Sequence, residues 1–103
     1  DEEYRPAFLV DNMGDKRYIL AKLLSGNRIA LAFFNLEYES DYLNTMEISF
    51  CDLGIHSGTG IKMKFTNAVT RESIGVYQDA FSTQVLPDEC KIIIAEMILP
   101  EKE

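Results

Sequence analysis

The chain offers few residues that could carry out a reaction. Its one histidine, His56, stands beside Ser57 in a glycine-rich stretch, where a solvated histidine is the usual case. One histidine without paired cysteines does not make a zinc site. Gly54, Gly58 and Gly60 are spaced superficially like a phosphate-binding loop, but no Lys-Ser/Thr and no helix follows, so they are interpreted as turn residues. We expect no catalytic residue and no cofactor.

Three alternating carboxylates, Glu37, Glu39 and Asp41, could present oxygens to calcium. The stretch lacks the Asp-x-Asp-x-Asp-Gly pattern that marks a strong calcium loop. A solvated acidic loop that protects a sheet edge explains the same residues. The sequence therefore predicts no metal site here.

Tyrosines are the remaining candidates for ligand binding. Tyr38, Tyr42 and Tyr77 could stack on sugar rings, because apolar sugar faces pack on aromatic planes. The chain has no tryptophan, and the three tyrosines show no regular spacing along one strand. Packing at junctions between loops and sheet is the preferred interpretation, and carbohydrate binding is kept as an alternative.

Length and charge narrow the class of protein. The 103 residues suffice for one domain, and the hydrophobic share of 47% is typical of a globular chain. The net charge of −7 disfavours nucleic acids and anionic membranes as partners, and no apolar run approaches the ~20 residues of a membrane span. The opening Asp-Glu-Glu does not fit a signal peptide and suggests a cut within a longer polypeptide, so the localisation stays open.

The two cysteines, Cys51 and Cys90, are far apart in sequence and do not form a disulfide framework. We expect both to be small buried apolar residues, as free cysteines often are. A disulfide between them is left open.

The strands are predicted around residues 23–35, which place Ser25, Gly26 and Asn27 between two apolar runs. Because Gly and Asn tolerate positive φ, this pattern predicts a β-hairpin. Its second strand, residues 29–34, is apolar on both faces and is expected at the centre of a sheet. The first, residues 16–24, also fits a helical stripe, but it is short and lies between turns.

In most of the other segments apolar and polar residues alternate with period two, and turns rich in Gly and Pro separate these segments. Further strands are predicted at residues 6–10, 45–50, 61–66, 74–77, 80–86 and 90–99. The last of these is apolar on both faces at residues 92–95 and is also expected to be central. Apolar faces of this kind need a second layer to cover them. The sequence therefore predicts an all-β fold, an antiparallel two-sheet β-sandwich of seven or eight strands with Greek-key connections.

Three segments resemble a known family when they are taken in order. Residues 22–35 resemble the K-P-L-x-x-G-x-x-A-V-A-L-F-N stretch of α-galactosidases and α-N-acetylgalactosaminidases, glycoside hydrolases of family 27 type. Residues 48–55 are similar to that family's strand followed by D-L-G-L. Residues 74–77 and 81–93 resemble its closing hairpin. The sequence departs from the family at residues 64–66, where Asp-Leu-Trp is common, and at residues 87–89, which lack the usual histidine.

The resemblance implies a C-terminal β-sandwich domain spanning residues 1–103 and cut from a larger enzyme. The family's catalytic carboxylates lie in a (β/α)₈ barrel of about 250 residues, and no segment of this chain resembles that barrel. The expected partner is the barrel of the same polypeptide. The alternatives are an independent module that binds galactose-containing sugars and an adhesion domain of fibronectin or immunoglobulin type.

Overall fold

The computed structural model describes residues 7–12, 16–36, 45–55 and 58–98. These residues form antiparallel strands and one short 3₁₀ helix, Phe50–Leu53, so the predicted all-β sandwich is confirmed. The strands are β1 (Phe8–Asn12), β2 (Arg17–Leu24), β3 (Arg28–Asn35), β4 (Thr45–Ser49), β5 (Lys62–Asn67), β6 (Ser73–Gln78), β7 (Ala80–Gln84) and β8 (Glu89–Ile98).

The strands divide into two sheets of unequal size. The large sheet has the order β1-β2-β3-β8-β5-β6, and the small sheet pairs β4 with β7. Because β3 lies beside β8 rather than beside β4, the chain leaves the large sheet and returns to it. Both strands predicted to be apolar on two faces, β3 and β8, are central in the large sheet.

The predicted hairpin joins β2 to β3 in continuous register from Arg17–Asn35 to Leu24–Arg28. Gly26 and Asn27 have φ values of 73° and 58°, the left-handed conformation that the tight turn requires. The Arg28 Nε donates a hydrogen bond of 2.9 Å to the Ser25 carbonyl. The segment before the turn is thus a strand, as predicted, and not the helix that the spacing of its apolar residues also fits.

Aromatic rings join the two sheets in the core. The Phe65 ring of β5 stacks on the Phe81 ring of β7, with centroids 4.0 Å apart and planes 7° from parallel. The ring centroids of Phe50 and Phe65 are 6.1 Å apart, and those of Phe33 and Phe81 are also 6.1 Å apart. These four phenylalanines are almost completely buried. They lie on the inward sides of β3, β5 and β7 and at the start of the 3₁₀ helix.

Two polar side chains on the inner face of the large sheet hold the segment that follows β7. The buried Asn35 donates through Nδ2 to the Val85 carbonyl at 2.8 Å. Lys91 donates through Nζ to the Gln84 carbonyl at 2.6 Å. Among the described residues, no buried side-chain nitrogen or oxygen lacks a hydrogen-bond partner. This end of the sandwich is therefore closed by hydrogen bonds rather than by apolar contact alone.

Two predictions from the sequence are wrong in detail. Cys51 and Cys90 are free and exposed rather than buried. Cys51 lies in the 3₁₀ helix and contacts the Ser49 hydroxyl at 3.0 Å, whereas Cys90 pairs with Phe34 on the outward side of β8. The strand predicted through Phe50 ends at Ser49, although the Phe50 ring is buried as expected.

Gly75 in β6 is expected to be intolerant of a side chain. Its φ is 147°, and a Cβ would lie 3.3 Å from the Tyr77 ring, so Gly75→Ala should lower the free energy of unfolding by about 1–3 kcal/mol. The matched control is Gly54→Ala, where φ is also positive but nothing lies within 4 Å. Equal losses in chemical denaturation would show that Tyr77 does not constrain this position.

Candidate functional site

Most residues considered for chemistry lie outside the described part of the chain. These are His56 and Ser57, the carboxylates Glu37, Glu39 and Asp41, and the tyrosines Tyr38 and Tyr42. Within the described residues, no group of three or more His, Cys, Asp or Glu side chains could hold a metal ion. Gly54, Gly58 and Gly60 all have positive φ, as the turn interpretation predicts.

Tyr77 is the one predicted sugar-stacking residue whose position is described. It is half-buried, and its ring meets Phe65 edge-on at 5.6 Å and Phe81 edge-on at 4.9 Å. The ring also lies over the Cα of Gly75. Much of its apolar surface is therefore used in the core, and carbohydrate binding at Tyr38, Tyr42 and Tyr77 stays a prediction.

Part of the outer face of the large sheet, the side away from β4 and β7, is unusually apolar. Across four neighbouring strands, register pairs align Leu9, Leu20, Ala32 and Ile92, and we call these residues the apolar row. Leu9 is 55% exposed and Ile92 43% exposed. Antiparallel sheets that face water on one side usually carry polar side chains there. The apolar row is therefore a candidate contact surface.

The residues beside the apolar row extend this surface. On one side Tyr18 stacks on Phe34 at 4.8 Å with planes 22° apart, and Phe34 is paired with Cys90. On the other side Ala30 pairs with Ile94. Partial desolvation of the exposed Cys90 thiol and, to a smaller extent, the neighbouring Glu89 carboxylate raise its pKa above the ordinary value. Cys90 is thus a thiol on this surface whose reactive thiolate forms at higher pH than that of an ordinary cysteine.

The small sheet shows the opposite character on its outward side. Thr45 and Glu47 of β4 are exposed there, together with Ser82 and Gln84 of β7. The inward residues of the same strands, such as Ile48 and Phe81, are buried. This sheet has the polar outside and apolar inside of a sheet in contact with water. The contrast indicates that, of the two outward faces, the large sheet's is the one suited to packing.

A shallow depression of about 380 Å³ lies on the large sheet, where β3, β8 and β5 meet the turn after β5. Three cationic side chains, Arg28, Lys64 and Arg71, line it with one carboxylate, Glu96. This cluster gives no signal in the sequence, because its cationic members come from three separate segments. No helix among the described residues is long and apolar enough to cross a bilayer.

Solved structures with the same fold identify what this sandwich is similar to. A family-27 β-L-arabinopyranosidase from Geobacillus stearothermophilus matches with a TM-score of 0.74 and 15% identity, over 95% of this chain and 21% of that chain. α-Galactosidase I from Mortierella vinacea matches with a TM-score of 0.69 and 14% identity, over 87% of this chain and 23% of that chain. A proposed α-N-acetylgalactosaminidase from Bacillus halodurans C-125 matches with a TM-score of 0.71 and 15% identity, over 93% of this chain and 20% of that chain.

These matches confirm the resemblance to family-27 enzymes at the level of the fold. The chain spans about a fifth of the length of each of these proteins. No protein-family model matches the sequence, and no curated protein does. The likeness is therefore carried by the strand arrangement and by the short motifs quoted above rather than by overall identity.

Proposed function

We propose that this chain is the non-catalytic, C-terminal β-sandwich domain of a glycoside hydrolase of family 27 type. In this role the outer face of the large sheet packs against the catalytic (β/α)₈ barrel of the same polypeptide and stabilises it. The observation that carries the proposal is the apolar row, which lies uncovered on a fold found within much longer glycosidase chains.

Packing against a barrel would remove the apolar row from water. Leu9 and Ile92 are about half exposed, and Leu20 and Ala32 are half-buried. Removing apolar surface from water contributes roughly 25 cal/mol per Å². A contact along this row thus stabilises the domain and the barrel together, whereas a contact through the polar outside of the small sheet would desolvate Glu47.

The 103-residue chain alone is expected to release no nitrophenol from p-nitrophenyl α-D-galactoside. The two catalytic carboxylates of the family lie in its barrel, which requires about 250 residues. The longer polypeptide, assayed at the same molar concentration, is the positive control. Release by the short chain that scales with its concentration and survives further purification would contradict the proposal.

The reading frame upstream of the codon for Asp1 separates the main alternatives. We expect it to encode a (β/α)₈ barrel of about 250 residues. Repeated sandwich domains in its place would favour an adhesion protein. An isolated sandwich that binds galactose-containing oligosaccharides, and loses this binding on Tyr42→Ala, would favour a carbohydrate-binding module.

A further inference from the structure

The geometry points to a binding site for a phosphate or sulfate group in the depression lined by Arg28, Lys64 and Arg71. The depression lies on the same outer face as the apolar row, so the proposal is tested on the 103-residue chain alone, where no barrel covers it. Among the described residues, three cations and one carboxylate line the depression, on a chain whose net charge is −7. A local excess of positive charge on an acidic protein favours an anionic ligand at that place.

The cations come together through the register of three strands. Arg28 of β3 and Lys64 of β5 both pair with Glu96 of β8, one from each side. Successive paired residues on one face of a sheet lie about 5 Å apart. The row therefore places two cations within reach of one small ligand, with the Glu96 carboxylate between them.

Arg71 completes the group from the turn between β5 and β6. Its φ is 68°, and it is the one residue with positive φ in the described chain that is not Gly, Asn or Asp. A left-handed conformation is unfavourable for a side chain of this kind. The arginine is therefore not the residue that the backbone of this turn prefers, which is consistent with a role for its side chain.

The turn itself is held rigidly by hydrogen bonds. The Asn67 Oδ1 accepts from the Val69 and Thr70 amides, both at 2.9 Å. The Arg71 amide donates to the Asn67 carbonyl at 2.9 Å, and the Ala68 amide donates to Ile92 of β8 at 3.0 Å. These bonds fix the backbone from which the Arg71 side chain extends, so only the side chain has to be ordered when a ligand binds.

Two of the three cations have no side-chain partner among the described residues. No hydrogen bond or ion pair engages the side chains of Lys64 and Arg71 in the described structure. The Thr66 side chain also lines the depression and can donate to an oxyanion. Arginine presents a fork of N–H groups that matches two oxygens of a phosphate or sulfate, and lysine adds a point charge.

The test is a titration of the ¹⁵N-labelled 103-residue chain with sodium phosphate, with sodium chloride at matched ionic strength as the reference. Saturable shifts are expected at the amides of Lys64, Asn67 and Arg71. The highest phosphate concentration is roughly 50 mM, which exceeds the dissociation constants of ordinary ligands. The proposal would be overturned if phosphate shifted these amides no more than chloride does at every concentration.

Variants then separate a site from general electrostatic attraction. Lys64→Gln and Arg71→Gly should each weaken phosphate binding about tenfold. The control is Lys62→Gln, because Lys62 is exposed on the same face of β5 but does not line the depression. Arg71→Gly should keep or raise the thermal midpoint, since glycine accepts the positive φ. Equal weakening by Lys62→Gln and Lys64→Gln would contradict the site.

Discussion

Phe65→Ala is expected to lower the free energy of unfolding by about 3–5 kcal/mol, the usual range for a buried phenylalanine. Phe65 is fully buried and stacks on Phe81 of the small sheet, with Phe50 and Tyr77 at its other sides. The alanine would leave a cavity between the sheets. Since domains of this size are stable by about 5–15 kcal/mol, the variant should lose a large part of its stability in urea denaturation followed by circular dichroism.

Phe34→Ala is the matched control for this loss. Phe34 lies on the outer face of β3, where it is half-buried and contacts Tyr18. Because less surface is buried there, its loss should be about 1–2 kcal/mol. If Phe34→Ala destabilised the isolated chain as much as Phe65→Ala, the assignment of inner and outer faces would be wrong.

Ile92→Glu is expected to have little effect on the isolated chain and a large effect on the longer polypeptide. Ile92 is 43% exposed in the apolar row, so the isolated variant should change its free energy of unfolding by about 1 kcal/mol or less. Against a docked barrel the same carboxylate would be buried without a partner, at a cost of about 3–5 kcal/mol. The measurement is the temperature at which the longer enzyme loses half of its glycosidase activity.

Ser82→Glu provides the control for the longer enzyme. Ser82 is exposed on the outward side of β7, among other polar residues. The added charge should remain in water there, so the inactivation temperature should not change. An equal decrease for Ser82→Glu, or no decrease for Ile92→Glu, would argue that the apolar row is not the docking surface.

The strands were predictable because this chain follows local rules closely. The turn at Gly26 and Asn27 requires positive φ, and the apolar runs on either side of it form the two strands of the hairpin. The central position of β8 followed from Ile92, Ile93 and Ile94, which offer apolar side chains to both faces. Local conformation and the burial pattern agree at these positions, so the sequence alone suffices.

The interior polar contacts and the cationic depression could not be predicted. Asn35 and Val85 are fifty positions apart, and only the pairing of β3 with β8 brings them together. Arg28, Lys64 and Arg71 likewise meet only after the strand order is known. The exposure of Cys90 could not be predicted for a different reason. Because β8 is apolar on both faces, its sequence does not show which face is covered by the second sheet.

The most direct test of the docking role compares the reactivity of the two native cysteines with a maleimide. Cys90 lies on the outer face beside the apolar row, and Cys51 lies in the 3₁₀ helix; both are free and exposed. Because the pKa of Cys90 is raised, its reactive thiolate forms at higher pH, so the reaction is run under alkaline conditions. In the longer polypeptide, labelling of Cys90 should slow by roughly tenfold or more while Cys51 keeps its rate. Equal Cys90 rates in the short and long chains would contradict the account.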